Sequence, residues 1–265
     1  MSARKLLLDL PTTAARARLA IPTLQNKTCI VTGGSQGIGA AVASRFASEG
    51  AHVTIVGRKP EKLKQVCAEI RALRTCESQN ISAFEGDVRE DETWSVLLKS
   101  VPSPDVLVNC AGVSQTQLLS RMSGDDTKTI LNTNLHSAIT GCRHAIKSMM
   151  KKKVQGCIIN VSSLLATKGS SGTSVYAASK AGLLGLTSSL AVEYGRYNIR
   201  VNALVPGYID TQMTHALPSL PSEVERIPLK RLGTVWEVAD AAVFLAVNPY
   251  ANNCILNLDG GLSAA

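Results

Sequence analysis

Thr28 to Gly39 reads TCIVTGGSQGIG, a run of apolar and β-branched residues that passes without a break into a glycine-rich turn and then a helical pattern. Strand, tight turn and helix in direct succession open a βαβ unit. Glycines 33, 37 and 39 let the backbone turn sharply, approach a ligand with no side chain in the way and pack the helix closely on the strand. The helix start offers free N–H groups and the positive end of a dipole, the two features that hold a pyrophosphate. Gly33, Ser35, Gln36, Gly37, Ile38 and Gly39 are therefore candidate dinucleotide-binding residues. The spacing is G-x-x-x-G-x-G, not the commoner G-x-G-x-x-G, and taken alone it also fits a bare tight connection.

The pattern repeats outward from this unit. Strands are expected at 28–32, 52–56, 81–84, 105–109, 157–161, 199–204 and 254–258, with helices beginning near Ile38, Glu61, Asp91, Asp125, Ser174 and Val235. Several strands are unbroken apolar runs, as expected when helices cover both faces of a sheet. No linker or internal repeat divides the chain, and the only low-order stretch besides the N-terminus is 206–228. The expectation is one doubly wound α/β domain with a seven-stranded, mostly parallel sheet, whose ligands lie beyond the carboxyl ends of the strands.

Composition agrees with this reading. At 265 residues, 45% hydrophobic and 18% charged, the chain can bury a core and is no disordered or collagen-like polymer, while 4% aromatic residues give no stacking surface for single-stranded nucleic acid. The net charge of +8 is uneven: residues 1–27 carry five basic residues against one acid, so half of the surplus lies in a tenth of the chain. A nucleic-acid partner is not expected from that distribution. The seven cysteines form no C-x-x-C pair and lie mostly in apolar runs, which reads as buried thiols and as neither a disulfide framework nor a zinc site; no metal site is expected. No apolar run reaches the 18 or so residues of a membrane span. The opening MSARKLLLDLPTTAARARLAIP is rich in Arg, Ala, Leu and Thr and nearly free of acids, so 1–27 reads either as a basic arm or as a mitochondrial transit peptide ahead of a domain at 28–265.

The second expected strand chooses the dinucleotide. An acid at its end would accept the ribose hydroxyls of NAD, whereas arginine pairs with the 2′-phosphate of NADP. The sequence reads HVTIVGRKP, with Gly57 where the acid would stand and Arg58 and Lys59 after it. NADPH/NADP+ is favoured, Arg58 binding the phosphate by two prongs; the alternative is a solvated Arg-Lys pair at a helix start.

Tyr176 and Lys180, in SVYAASKAG, are four apart and so share one helix face, where an ammonium can favour the phenolate of a tyrosine. With them the chain resembles the short-chain dehydrogenase/reductase family from about Asn26 to Gly261. The motifs are TGGSQGIG, Asp87-Val88, NCAG at 109 to 112, Asn134 in NTNL, Ser163 in INVSS, YAASK at 176 to 180, and Pro206-Gly207 with Thr211. The resemblance implies a Rossmann-type fold and carbonyl reduction by hydride transfer. Tyr176 would be the proton donor, Ser163 would hold the carbonyl oxygen, Lys180 would also hold the nicotinamide ribose, and Asn134 would position a water in a proton relay. It further implies that Asp87 and Val88 contact the adenine, that Asn109, Ala111 and Gly112 line the adenosine-ribose side, and that Pro206, Gly207, Ile209 and Thr211 approach the nicotinamide. Asn109 also fits a structural part, since Asn often bonds backbone at strand ends.

Within the family, GVSQTQLLSRM at 112 to 122, HAIKSMMKKK at 144 to 153 and IPLKRLGTVWEVADAAVFLA at 227 to 246 are similar to 3-oxoacyl-[acyl-carrier-protein] reductases. Lys147, Lys151, Lys152 and Lys153 would then dock an acidic acyl carrier protein, or they simply complement a helix dipole. Two departures stand out: Asn252-Asn253 replaces the usual Thr-Gly, and Val192 stands where carrier-dependent reductases often have arginine. Three readings follow, namely a carrier-linked reductase of fatty-acid synthesis in the mitochondrial matrix or the cytoplasm, an NADP-linked reductase of small ketones, sugars or secondary metabolites, and a non-catalytic dinucleotide-binding protein. The intact Ser163, Tyr176, Lys180 set argues against the last. Long helices expected at 125–151 and 174–194 resemble those that build the family's homotetramers.

Overall fold

Strands that are apolar on both faces need a layer of helices on each side, and the chain supplies them alternately. The computed structural model describes residues 24–217 and 219–264. Its elements in order are β1 (Thr28–Thr32), α1 (Gly37–Ser48), β2 (His52–Gly57), α2 (Pro60–Arg71), β3 (Ile81–Glu85), α3 (Asp91–Ser100) and β4 (Val106–Asn109). After them come α4 (Gly124–Leu131), α5 (Ser137–Lys152), β5 (Cys157–Val161), α6 (Ser174–Tyr194) and β6 (Arg200–Pro206). The chain closes with α7 (Gln212–His215), α8 (Leu220–Arg226), α9 (Val235–Val247) and β7 (Ile255–Leu258).

The seven strands form one sheet in the order β3-β2-β1-β4-β5-β6-β7, and every pairing is parallel. The order reverses between β1 and β4, so a crevice opens there at the carboxyl edge. Alternate residues of each strand feed two cores. Cys29, Val31, Val106, Val108 and Ile159 pack with α1, α2 and α9, while Ile30, Leu107 and Ile158 meet Trp94 and Leu97 of α3 and Cys142, Ile146 and Met149 of α5. The folded body already includes Leu24, which is 2% exposed, and Lys27, whose ammonium pairs with Asp105 at 3.0 Å. The reading of the basic leader falls on residues 1–23, outside the described ones, and on this anchored stretch.

The expected doubly wound domain is present, with a sheet that is wholly parallel. Three local expectations are corrected. The long helix expected at 125–151 is two helices, α4 and α5, joined by a π-helical turn at Asn132–His136. The low-order 206–228 stretch contains two short helices, α7 and α8. Helix α6 with the short turn after it, Ser174–Tyr197, is long and apolar enough to span a membrane, with mean hydropathy 1.2. Its buried residues Val175, Ser179, Lys180, Leu183, Thr187 and Ala191 form the stripe that faces the protein's own interior.

A chain of polar groups crosses the interior. The Asn109 amide donates to Asn160 Oδ1 at 2.9 Å, and the Asn160 amide donates to Thr187 Oγ1 at 2.9 Å, tying β4 and β5 to α6. Helix α5 comes close enough to seal this chain because Gly141 has no side chain: a Cβ there would stand 2.6 Å from Trp94 Cζ2 and 3.0 Å from Asn109 Oδ1. Trp94 cannot yield, being 1% exposed and bonded through its indole N–H to the Val88 carbonyl at 2.9 Å. Gly141→Ala is therefore expected to lower stability by about 2 kcal/mol, the usual cost of one overpacked methyl, as a reduced urea midpoint at unchanged m; an unchanged midpoint would refute this account.

Candidate active site

The turn after β1 and the loop after β4 are stitched together at the switch point. Thr32 Oγ1 accepts the amides of Cys110 at 3.0 Å and Ala111 at 3.2 Å and donates to the Val108 carbonyl at 3.3 Å. Gly33 has φ +66°, and a Cβ on it would fall 2.9 Å from the Ala111 backbone, so the two loops touch through backbone alone. A Cβ on Gly39 would lie 2.4 Å from the Gly33 carbonyl, which is how α1 begins directly on the turn. The N-cap of α1, Gln36, makes no side-chain capping bond, leaving the helix's first amides to face the crevice. Gly37, at φ +56°, faces Thr211, whose Cγ2 would be 3.6 Å from a Cβ there; Thr211 in turn accepts the Thr214 amide and caps α7. The segment after β6 thus reaches across to the glycine loop.

The catalytic candidates meet at the ends of β4 and β5. Ser163 lies two residues beyond β5, and its hydroxyl accepts the Leu165 amide at 3.2 Å. Tyr176 lies in the first turn of α6, and Lys180 lies one turn on. Ser163 and Tyr176 line a cavity of about 180 Å³ together with Gln115, Leu164, Gly207 and Tyr208. Burial pushes the Tyr176 phenol above its ordinary value, and the Ser163 hydroxyl bonded to it works in the opposite direction. Lys180 is 5% exposed, lies 5.7 Å from the centre of the Tyr176 ring and donates to the Val161 carbonyl at 2.8 Å. Its burial pushes its pKa down to about 8. The expectation that the ammonium holds the phenol low is thus corrected for the protein alone: dense packing dominates both groups and moves them toward their neutral forms.

Asn134 sits in the π-helical turn, a local widening that turns its amide toward the loop after β4. Its Oδ1 accepts the Val113 amide at 2.8 Å, and its Nδ2 donates to the Val113 carbonyl at 3.0 Å and to Ser179 Oγ at 3.1 Å. Gly112 lies between Asn134 and Lys180, since a Cβ on it would stand 3.4 Å from Asn134 Oδ1 and 3.6 Å from Lys180 Nζ. Asn109, grouped in the sequence with Ala111 and Gly112, turns its side chain into the core to bond Asn160. Asp87 forms a two-pronged pair with Arg89, with contacts of 3.0 and 2.6 Å, that holds its carboxyl below the usual carboxylate range. Exposed Arg58 stands 3.9 Å from the same carboxylate. Val88 is buried beside Trp94. Pro206 ends β6, Gly207 packs against Asp259, and Ile209 is buried and bridged to Gly233.

Two residues emerge that the motifs did not signal. Lys62 reaches back from α2 and donates to Gln36 Oε1 at 3.2 Å. Gln115, 5% exposed, accepts the Val175 and Tyr176 amides at 2.8 and 3.0 Å. Lys62 is one more basic residue after GRKP and was open to notice; Gln115 contacts residues 60 positions away and left no local trace.

Comparison with known proteins agrees with this geometry. The family model described as short chain dehydrogenase matches residues 27–220. The chain is 40% identical over 248 residues to the 3-oxoacyl-[acyl-carrier-protein] reductase FabG of Chlamydia trachomatis, covering 91% of this chain and 98% of that protein. It is 40% identical over 237 residues to the 3-oxoacyl-[acyl-carrier-protein] reductase of Bos taurus, covering 89% and 98%. The crystal structure of a gluconate 5-dehydrogenase from Burkholderia cenocepacia in complex with NADP and tartrate superposes with a TM-score of 0.83 at 28% identity, covering 91% of this chain and 97% of that one. A parallel sheet reversing at β1 and β4, with tyrosine and lysine one turn apart at its carboxyl edge and a family match across most of its length, makes this chain a member of the short-chain dehydrogenase family.

Proposed function

We propose that the chain reduces the 3-oxo group of an acyl thioester held on an acyl carrier protein, using NADPH. The observation that carries this reading is the 40% identity to the Chlamydia reductase across 98% of that protein's length. The phosphate loop supports the choice of cofactor. A Cβ on Gly57 would lie 3.6 Å from Ser35 Oγ, so an acid there would project its charge at the loop, whereas glycine leaves Arg58 and Lys62 as the nearby charges. The backbone of Gly33 and of Ser35 to Gly39 would hold the pyrophosphate, with Arg58 at the 2′-phosphate and Asp87 with Val88 beside the adenine. Ala111, Gly112 and the Asn109 backbone would line the ribose, and Tyr176, Lys180, Pro206, Gly207, Ile209 and Thr211 the nicotinamide end.

When bound, the dinucleotide supplies the hydride. The protein supplies position and the proton. Ser163 Oγ donates to the carbonyl oxygen and fixes it beside the phenol, and Tyr176 gives that oxygen its hydroxyl proton as the alcohol forms. The raised phenol pKa keeps the proton on Tyr176 at neutral pH, and the Lys180 ammonium stabilises the phenolate that remains. Asn134, with its amide committed to Val113 and Ser179, fixes the loop that shields Lys180, which supports a positioning part in any proton relay.

A second reading, reduction of small polar ketones, is favoured by the cavity lining, in which Ser114, Thr116, Ser170, Ser171 and Thr173 stand beside the apolar Leu164, Leu165, Met213 and Leu217. For the carrier reading, Lys147, Lys151, Lys152 and Lys153 are exposed at the end of α5 to meet an acidic partner. A homotetramer is supported by two uncovered apolar faces, Met150 with Val192 and Trp236 with Phe244. The acid-poor N-terminal composition supports a matrix address.

Initial rates of NADPH oxidation should be highest with acetoacetyl-carrier protein, lower with acetoacetyl-CoA and lowest with a panel of small polar ketones; turnover of small ketones alone would overturn the carrier assignment. Arg58→Ala should weaken NADPH by about tenfold to a hundredfold, the loss of a charged hydrogen bond, and leave NADH within about twofold in fluorescence titrations; equal loss of both would remove Arg58 from the phosphate site. Lys180 loses its charge as pH rises through about 8 while Tyr176 is still protonated, so kcat for reduction should fall on that basic limb. In Lys180→Arg the limb should move up by more than about one unit, because guanidinium stays charged there, and a limb at the same pH would assign it to another group.

A further inference from the structure

Helix α6 begins without a cap of its own. Thr173, at the N-cap position, makes no side-chain capping bond, although the Val175 and Tyr176 amides lack acceptors within the helix. The acceptor comes from another part of the chain. Gln115, in the loop after β4, places both lone pairs of Oε1 on these amides at 2.8 and 3.0 Å, and its Nε2 donates to the Gln117 carbonyl at 2.8 Å. The second donor bond from Nε2, at 3.4 Å to Ser174 Oγ, fixes the amide plane.

These bonds close a ring around the catalytic tyrosine. Gln115 holds the Tyr176 N–H, Ser179 Oγ donates to the Tyr176 carbonyl at 2.6 Å, and Asn134 joins Ser179 to Val113, two residues before Gln115. Both peptide groups of Tyr176 are thus held by side chains that share one anchor. The phenol swings on that backbone toward Ser163, across a cavity that Gln115 also lines. An error of about 1 Å in the position of a proton donor can cost a hundredfold in rate.

We propose that Gln115 is a positioning residue for the reduction, fixing the first turn of α6 so that the Tyr176 hydroxyl meets the carbonyl oxygen held by Ser163. This rests on Tyr176 being the proton donor. Gln115 touches neither substrate oxygen nor dinucleotide in this role and acts through the helix start alone. A carboxylate in its place would accept the same two amides, with the helix dipole in its favour, at the loss of the donor bond to the Gln117 carbonyl, whereas a methionine of similar shape or a shorter asparagine would accept neither amide.

The test compares Gln115→Met, Gln115→Asn and Gln115→Glu in the full chain by steady-state kinetics with whichever carbonyl substrate the wild type reduces, acetoacetyl-carrier protein, acetoacetyl-CoA or a small polar ketone, by NADPH titration, and by amide hydrogen exchange across residues 174–178. Met and Asn are expected to lower kcat about tenfold to a hundredfold with KM and NADPH affinity within about threefold, and to speed exchange in that peptide. Glu is expected to restore kcat and slow exchange in part, short of the wild type by the lost Gln117 bond, and to move the basic limb of the pH profile upward by its added negative charge. Wild-type kcat in the Met and Asn variants, parallel loss of kcat and NADPH affinity, or a Glu variant no better than Met and Asn in both turnover and exchange would each overturn the proposal. Should Met not fold, Asn against Glu decides it. Tyr176→Phe run alongside separates the two ideas: retained turnover there removes the proton donor itself, while exchange at residues 174–178 still reports whether Gln115 holds the turn.

Discussion

Lys180 carries its charge into the interior and there donates to the Val161 backbone oxygen at 2.8 Å. An ammonium so placed is costly, and the fall of its pKa to about 8 expresses that cost. Everything at the carboxyl edge of the sheet is arranged around this constraint. The lysine must reach past the end of β5 from a helix lying on the opposite layer, so α6 must start next to the loops after β4 and β5. That places Tyr176 and Ser163 in the lining of one cavity and sets Gly112 between Asn134 and the ammonium. Stability and reactivity are opposed at this point: a leucine would sit more comfortably than a lysine, but only a cation near the phenol makes proton loss there accessible.

The fold was open to a reader of the sequence because its signals are local. A strand that runs into TGGSQGIG, six further apolar runs and helices between them fix the winding, and the spacing of Tyr176 and Lys180 needs nothing beyond helix geometry. What could not be read depends on contacts between distant segments. The π-helical turn at Asn132–His136 has no compositional mark, because NTNLH suits an ordinary helix as well; the widening is set by where Asn134 must aim. The inward turn of Asn109 depends on Asn160 and Gly141, 51 and 32 positions away. Gln115 looked like one polar residue among several in VSQTQ. The direction of the pKa shifts was missed for a related reason: a spacing of four predicts that two groups are neighbours, but burial, which sequence spacing does not contain, decides which charge state they prefer.

The cavity has two kinds of wall, and they place different demands on a substrate. Hydroxyl groups from the 114–116 and 170–173 stretches suit amide or thioester oxygens, and the leucines and methionine suit a short alkyl chain. Tyr208 also lines the cavity, its phenol pushed up to about 12 by burial and by the Glu223 carboxylate of α8, so it remains a neutral donor that ties the helical segment after β6 to the rim. That segment also carries Thr211 to the glycine loop, and its placement therefore couples the glycine-loop side of the crevice to the cavity that Ser163 and Tyr176 line.

The anchoring of the chain's first described residues sets a limit on how the protein can be shortened. Leu24 is in the core, the Asn26 amide bonds the Gly50 carbonyl at 3.1 Å, and Lys27 and the Thr28 amide both bond Asp105. A cut after residue 23 leaves all of these contacts in place, whereas a cut four residues later takes Leu24 out of the core and removes the Lys27 ion pair with Asp105, although the β1–β4 ladder remains. Gln25, Asn26 and Lys27 lie exposed on the surface, so trimming into this stretch is limited by the loss of Leu24 from the core and of the Lys27 ion pair, and by no shielding of the backbone itself.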